Sequence, residues 1–179
     1  MPEREAGDPR RIQLITGELF ARVLERARNS PRLRMNYNFH ERLEDNPNRF
    51  LNVMLRGSYF TPHRHVDPPK PEAFLVIEGQ VAFFTFDDAG EIESAHVVGR
   101  GAWSRPGGEI TGIDIGPGVW HTLVVLTPYA ICYEVKPGPY SPAGDKDFAP
   151  WAPREGQPGA AEYLDSLLAR AGLAQPQQP

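Results

Sequence analysis

The chain has 179 residues, with 19 basic and 23 acidic side chains and a formal net charge of −4 at pH 7. Its length suits a single domain with a sizeable core, and its acidic balance excludes the basic surface that nucleic-acid binding needs. No apolar run approaches the length of a membrane span, and the polar first ten residues lack a secretory signal. Cys132 is the single cysteine, so no intrachain disulfide can form. We expect a soluble, cytoplasmic protein that contacts neither nucleic acid nor membrane.

The N-terminal part of the chain predicts one helix and one extended segment. Thr16 can cap a helix that continues to about Arg28 and carries its apolar residues on one face. Residues 32–40 then alternate, with apolar side chains at the odd positions 33 to 39. This pattern is typical of a strand or an extended arm.

The middle of the chain predicts a series of short strands. Its prolines and glycines fall between short apolar runs rather than in a repeat, which is typical of many turns between short strands. The expected strands lie at residues 50–60, 73–77, 81–86, 92–98, 109–115, 121–126 and 130–136, with a loop at 99–108. Seven or eight strands in this region indicate an all-β protein, an antiparallel jelly roll or barrel.

The composition changes after Lys136. The next stretch is rich in Pro and Gly but contains Tyr140, Phe148 and Trp151, and a flexible linker would not usually contain such large aromatic side chains. We therefore expect a cover segment that packs over the barrel, followed by a short C-terminal helix at about 160–171. The predicted regions are an N-terminal helix and arm, a β-barrel, and the cover segment with its helix, at residues 1–49, 50–137 and 138–179.

Three histidines and one glutamate predict a metal site. Alternate side chains of a strand share a face, so His63 and His65 project together while Arg64 points away. A proline-rich bend can return Glu72 to this pair, and His121 can enter from a neighbouring strand after a Gly-Pro-Gly turn. Imidazole and carboxylate ligands suit one divalent transition metal ion, such as iron, zinc, nickel or manganese. The loaded site would have a net charge of about +1, which favours an anionic or oxygen-bearing ligand.

The same residues resemble the first motif of the cupin superfamily. That motif is a glycine, five residues, His-x-His, a short gap, a glutamate, six residues and a second glycine. The positions that fit it are Gly57, His63, His65, Glu72 and Gly79. The gap before the glutamate, VDPPKP, is longer than the three or four residues that are usual in the family.

The second cupin motif, Pro-x-Gly-x-x-His followed by an asparagine, is also recognisable. Gly118 and His121 fit it, whereas Gly116 stands where proline is usual and Val125 where asparagine is usual. The asparagine is not a metal ligand. The resemblance implies a cupin-type antiparallel jelly-roll barrel that binds a metal ion through the three histidines and the glutamate.

A narrower resemblance extends over roughly residues 32–156. The segments RMNYNFH, GSYFTPHRHVDPPKPEAFLVIEGQVAFFTFDDAGEI, GVWHT, YEVKPGPY and FAPWAPREG look like the WbuC family of cupin-fold metalloproteins. Members of that family occur in bacterial surface-polysaccharide gene clusters, and their reaction is not established. Cupins often dimerise through sheet edges, so the resemblance also implies a homodimer, with residues 32–40 as a candidate for that pairing.

Several functions are compatible with this reading. The leading hypothesis is a metal-dependent enzyme, an isomerase, epimerase or oxygenase, which acts on a sugar or sugar-nucleotide-like molecule and uses the metal as a Lewis acid. The alternatives are a cupin that binds or senses a small molecule without catalysis, and a cupin scaffold that has lost its metal. Metal-free sugar epimerisation would need a His-Asp pair and a tyrosine acid, which the sequence does not place.

Five residues are candidate substrate contacts. Arg56 and Tyr59 come just before the histidine segment, Asn38 and His40 share the polar face of the extended arm, and Tyr133 lies on a late strand. Each of these residues also fits a role in packing or at the surface.

Overall fold

The computed structural model describes residues 12–99, 109–141 and 144–173. The predicted loop at 99–108 lies, after Gly99, outside the described residues. The described elements, in chain order, are α1 (Gly17–Arg28), β1 (Arg34–Asn38), β2 (Asn48–Leu55), β3 (His63–Arg64), β4 (Glu72–Glu78), β5 (Gln80–Phe86), β6 (Ile92–Gly99), β7 (Gly112–Ile115), β8 (Trp120–Val125), β9 (Tyr129–Lys136), β10 (Asp147–Phe148) and α2 (Ala160–Leu173).

The strands form two five-stranded sheets that enclose one interior. The first sheet has the order β1-β2-β9-β4-β7, and the second has the order β10-β3-β8-β5-β6. Every strand pair in both sheets is antiparallel. Among the described strands, β1 and β2 share a sheet and so do β5 and β6, whereas every other pair of consecutive strands lies in different sheets. This is the antiparallel jelly-roll barrel with a short helix near each end that the sequence predicts.

The apolar end of the barrel is filled by side chains from both sheets. Phe74 on β4 packs against Phe83 on β5, with ring centroids 5.1 Å apart. Met54, Leu123 and other buried side chains complete this cluster. Burial of apolar surface contributes about 25 cal/mol per Å², so this cluster is a main source of stability and fixes the spacing of the two sheets.

Strand β5 is apolar on both faces because it is covered on both sides. Val81 and Phe83 face the barrel interior, while Phe84 and Phe86 belong to a second cluster that contains residues of α2 and the cover segment. The sequence QVAFFTF therefore lacks the alternation of a strand with one solvent-exposed face. Trp151 of the cover segment packs on Phe86, with ring centroids 5.0 Å apart.

Helix α1 covers the outer face of the first sheet. Thr16 caps it through a hydrogen bond from the Leu19 backbone N–H, at 3.2 Å, as the sequence predicts. Its buried face packs against the sheet in a cluster that includes Leu51 and Val53. Neither described helix is long and apolar enough to cross a membrane.

Several boundaries differ from the sequence prediction. The strand expected at residues 50–60 is Asn48–Leu55, and the strand expected at 109–115 is only Gly112–Ile115. Within the alternating arm expected at 32–40, residues 34–38 pair with β2 as strand β1 at the edge of the first sheet. The cover segment adds the two-residue strand β10, which pairs with β3. The division of the chain into three regions stays a prediction.

Candidate metal centre

Four side chains converge inside the barrel. Their ligand atoms, three imidazole nitrogens and a carboxylate oxygen, all lie within 4.8 Å of one another, and all four residues are buried. They are the residues named by the sequence motifs, and we call them the His–Glu cluster: His63, His65, Glu72 and His121.

The histidines are placed by strands of the second sheet. His63 on β3 is the cross-strand partner of His121 on β8, and their ring centroids are 4.5 Å apart. His65 lies two residues beyond His63 and is buried beside it. Arg64 points the other way, where its guanidinium lies over the Trp120 ring at 4.1 Å from the centroid. The strand alternation predicted for this segment is therefore present.

The long gap before Glu72 does not remove it from the cluster. An antiparallel bridge between Val66 and Pro69 closes the extra residues into a turn, so the chain returns at the first residue of β4. Glu72 Oε1 contacts His65 Nε2, and Glu72 Oε2 lies 3.7 Å from His121 Nε2. The bridge thus accommodates the longer gap, and Lys70 within the gap is itself buried.

Backbone carbonyls orient all three imidazoles. The Nδ1 atom of His63 lies 3.0 Å from the Thr61 carbonyl oxygen, that of His121 lies 2.8 Å from the Val119 carbonyl oxygen, and that of His65 contacts the Asp145 carbonyl oxygen. A carbonyl only accepts, so each Nδ1 donates its proton and each Nε2 presents a lone pair to the cluster.

The inward atoms of the cluster have no hydrogen-bond partner among the described residues. These atoms are Nε2 of all three histidines and Oε1 of Glu72. Buried acceptors without a donor are costly, and a cation placed between them satisfies all four at once. The donor set therefore fits a transition metal ion bound by three nitrogens and a carboxylate oxygen.

The charge states of the cluster agree with this fit. Burial and the nearby charge of Lys146 hold the pKa of His63 well below its ordinary value, which keeps the imidazole neutral. Burial by itself would raise the pKa of Glu72, but its contacts with His121 and His65 and the charge of Lys136 outweigh burial and hold that pKa well below its ordinary value. Neutral imidazole and ionised carboxylate are the forms that bind metals.

A buried ionic network supports the cluster from the side of the cover segment. Lys136 Nζ lies 3.5 Å from Glu72 Oε1 and 2.7 Å from Asp145 Oδ2. Lys70 Nζ lies 2.8 Å from Asp145 Oδ1. Asp145 thus pairs with both lysines through its carboxylate while its carbonyl oxygen holds His65. These three charged residues were not predicted from the sequence, because none of them occupies a ligand position of either motif.

A small cavity of about 30 Å³ lies beside the cluster. Its wall includes His63, Glu72 and His121 together with Asn52, Glu134 and Lys146. About 10–15 Å³ of such space holds one water molecule, so the cavity admits one small chemical group rather than a whole sugar ring.

Glu134 is a buried carboxyl group in the wall of this cavity. Burial, followed by the negative charge of Glu72, raises the pKa of Glu134 to about 8. The Asn52 side-chain amide donates to Glu134 Oε2 at 3.2 Å. At neutral pH the Glu134 carboxyl group is therefore mainly protonated and can donate a hydrogen bond. Its isolated position in an apolar strand is the one sequence signal that could have identified it.

The five predicted substrate contacts lie away from this cavity. Tyr59 donates a hydrogen bond to the Pro153 carbonyl oxygen at 2.7 Å, and Arg56 donates to that of Leu126 at 3.2 Å. The others are Asn38, which is exposed on β1, His40, which is buried against the start of β2, and Tyr133, which packs against Phe39 outside the barrel. None of the five lines the cavity beside the cluster, and their role in substrate binding stays a prediction.

Comparison with known proteins supports the fold. A family described as "Domain of unknown function (DUF6016)" matches residues 15–98, and no curated protein matches the chain. The structure of protein SO0799 from Shewanella oneidensis is similar over 92% of this chain and 100% of its own, with a TM-score of 0.53 and 10% identity. A cupin 2 domain-containing protein from Halorhodospira halophila covers 82% of this chain and 85% of its own, with a TM-score of 0.45 and 10% identity.

A third similar structure is the capsular polysaccharide assembling protein CapF from Staphylococcus aureus. It covers 63% of this chain with a TM-score of 0.50 and 20% identity, but this chain spans only 31% of CapF. The barrel, the two matched motifs and the buried donor set together define this chain as a cupin-fold protein with a cluster that can hold a metal ion.

Proposed function

We propose that this protein is a metal-dependent cupin enzyme of the WbuC type, which acts on a sugar or sugar-nucleotide-like molecule in surface-polysaccharide metabolism. The observation that carries the proposal is the convergence of three imidazole Nε2 atoms and one carboxylate, all buried, where the Nε2 atoms and Glu72 Oε1 lack hydrogen-bond partners among the described residues. A metal ion accounts for this arrangement better than a structural role, because a structural histidine is normally satisfied at both nitrogens.

The proposed chemistry gives separate roles to the His–Glu cluster, the backbone carbonyls and the walls of the barrel. The His–Glu cluster would hold a divalent ion, which would supply Lewis-acid chemistry for a carbonyl or hydroxyl oxygen or for water. The backbone carbonyls at Thr61 and Val119 keep the His63 and His121 rings oriented. The apolar walls of the barrel limit water around the reacting group. The cavity volume of about 30 Å³ restricts the reacting part of the substrate to one functional group.

Two associations support the choice of substrate. The sequence resembles the WbuC family, whose members occur in surface-polysaccharide gene clusters. CapF, which has a similar fold, is named as a capsular polysaccharide assembling protein. Both point to sugar-derived molecules, and neither identifies a reaction, so isomerase, epimerase and oxygenase activities are all included in the proposal.

The second candidate is a cupin that binds or senses a small ligand without converting it. The small size of the cavity is the observation in its favour, since a site that admits only one group also suits simple recognition. Both candidates bind the metal ion, and they differ in whether the bound ligand is converted into a product.

The test begins with elemental analysis of protein purified without chelator, where we expect about one metal ion per chain. Sugar nucleotides are then screened for conversion and for thermal stabilisation, with metal-loaded and metal-free protein. Metal-dependent conversion supports the enzyme, and stabilisation without conversion supports the binding protein. Protein that stays metal-free after incubation with iron, zinc, nickel and manganese salts would contradict both.

A further inference from the structure

The wall of the cavity that faces the His–Glu cluster carries a lysine, an asparagine and a buried carboxyl group. We infer that Lys146, with Asn52 and Glu134 beside it, forms an anion subsite that receives a carboxylate or a similar small oxyanion group of the substrate next to the metal. The inference rests on the proposed function, because the second oxygen of that group would meet the metal ion.

The three lysines of the chain lie close to one another in the structure. The sequence has only three lysines, and its sixteen other basic residues are arginines. Lys70 and Lys136 lie in the ionic network behind the cluster, and Lys146 lines the cavity. Every lysine of the protein is therefore within this one region. Lysine is a compact charge with three rotatable donors, which suits a close approach to small oxyanions better than the wide planar guanidinium does.

Lys146 differs from the other two lysines in its side-chain partners. Lys70 and Lys136 are both paired with Asp145, at 2.8 and 2.7 Å. By contrast, no hydrogen bond or ion pair joins the Lys146 side chain to any of the residues that the structure describes. Lys146 is half-buried, and burial is the largest of the influences that lower the pKa of its ammonium group. A partly buried ammonium group without a partner is a ready site for an anion.

The charged side chains around the cavity do not balance. The basic side chains of this region are the three lysines, and the carboxylates that pair with lysine are Glu72 and Asp145. One positive charge is therefore in excess before any metal is bound. A divalent ion increases this excess in surroundings of low dielectric constant, where an uncompensated charge is costly. An anionic group of the substrate restores the balance.

Glu134 does not oppose an anion at this position. It is buried and has no ion pair among the described residues, and Asn52 donates to its Oε2 atom. A buried carboxyl group without a cationic partner stays protonated in preference to ionising. In this form Glu134 adds an O–H donor to the cavity wall. The size of the cavity, about 30 Å³, also suits one carboxylate-sized group.

The competing explanation is that Lys146 only balances the charge of Glu72 through space. The two roles differ in what Lys146 does for a ligand. A subsite lysine is needed for anion binding and not for metal retention, whereas a lysine that supports the ionic network is needed for the metal centre itself.

The test uses the full chain loaded with Co²⁺, whose visible absorption bands report on ligands that bind at the metal. The probes are acetate and its neutral counterpart acetamide. The variants are Lys146→Met and, as a matched removal of one exposed positive charge on α1, Arg26→Met. We expect wild type and Arg26→Met to bind acetate equally and much more tightly than acetamide. Lys146→Met should retain one Co²⁺ per chain and bind acetate at least about tenfold more weakly.

Three results would overturn the inference and leave the metal centre in place. These are no spectral response of the loaded wild type to acetate, unchanged acetate affinity in Lys146→Met, and loss of Co²⁺ from that variant, which would make Lys146 part of the metal support. If Lys146→Met does not fold, Lys146→Gln is used with the same expected and opposing results. Failure of the wild-type protein to hold Co²⁺, by contrast, would overturn the proposed function itself.

Discussion

The two sheets of the barrel contribute different chemistry to the same cavity. The second sheet, which contains β3 and β8, supplies the imidazoles of His63 and His121. The first sheet, which contains β2, β4 and β9, supplies Glu72, Glu134 and Lys136. One face of the site therefore consists of nitrogen ligands and the other of charged groups.

This difference separates two tasks that a metal site has to fulfil. The geometry of the histidines is local, since His63 and His121 are cross-strand partners and each is oriented by a carbonyl two residues before it in the chain. The charge balance is not local, since Lys136 on β9 lies between Glu72 on β4 and Asp145 of the cover segment. We expect changes in the imidazole sheet to abolish metal binding, and changes in the opposite sheet to tune it.

The largest effect is expected for His63→Ala. Loss of one of the nitrogen ligands should reduce metal affinity by about 1,000-fold or more and leave less than stoichiometric metal after purification. The matched control is His96→Ala, because His96 is exposed on β6 of the same sheet. Elemental analysis measures the metal and circular dichroism checks the fold. Equal metal content in the two folded variants would remove His63 from the site.

Glu72→Gln tests the charged sheet directly. The amide keeps the shape of the side chain but lacks the negative charge, so we expect metal affinity to fall by about 100-fold. Glu134→Gln is the comparison within the same sheet, and it should keep the metal because Glu134 is not one of the clustered ligands. Competition with a chromogenic chelator gives both affinities. A Glu72→Gln protein that binds metal like wild type would mean that the histidines suffice.

Asp145→Asn tests the support from the cover segment. It removes the charge that pairs with Lys70 and Lys136, while the backbone carbonyl that holds His65 remains. We expect metal affinity to fall by about 10-fold, the lower end of the range for groups that orient ligands. Asp147→Asn is the control, because Asp147 pairs with Arg64 outside the barrel. Equal affinities in the two variants would show that the network only stabilises the fold.

The last expected effect concerns the pH dependence of stability rather than metal affinity. In the folded protein the pKa of Glu134 is raised to about 8 from an ordinary value of 4.5. Between these values the unfolded chain has released this proton while the folded chain keeps it, so the free energy of unfolding falls as pH rises. The contribution of Glu134 to this decrease is on the order of a few kcal/mol at most.

Urea unfolding of metal-free protein at pH 5 and pH 8 measures this effect. Glu134→Gln has no ionisable group at this position, so its stability should decrease less between the two pH values than that of wild type. Identical decreases in the two proteins would mean that Glu134 ionises in the folded state as freely as in the unfolded chain.

Much of the barrel and of its metal ligands could be predicted from the sequence. The capping residue and apolar face of α1 and the shared face of His63 and His65 follow from short-range periodicity. The strands β4 to β6, β8 and β9 follow from short apolar runs between turn residues. Element ends were less predictable, and β3 and β10 were not identified as separate strands. Two-residue strands have no periodicity to detect, and they form only because a partner strand is in place.

Only the tertiary structure decided the surroundings of the metal. Asp145 and Lys146 lie in a Pro- and Gly-rich segment without a repeating pattern, and Glu134 and Lys136 are polar residues in an otherwise apolar strand. Their meeting at one cavity depends on how the cover segment closes over the barrel. The sequence by itself determined which side chains could bind a metal, because ligand spacing is set within one strand or turn. Packing between distant segments determined which charges surround that metal, because electrostatic balance depends on distance in space.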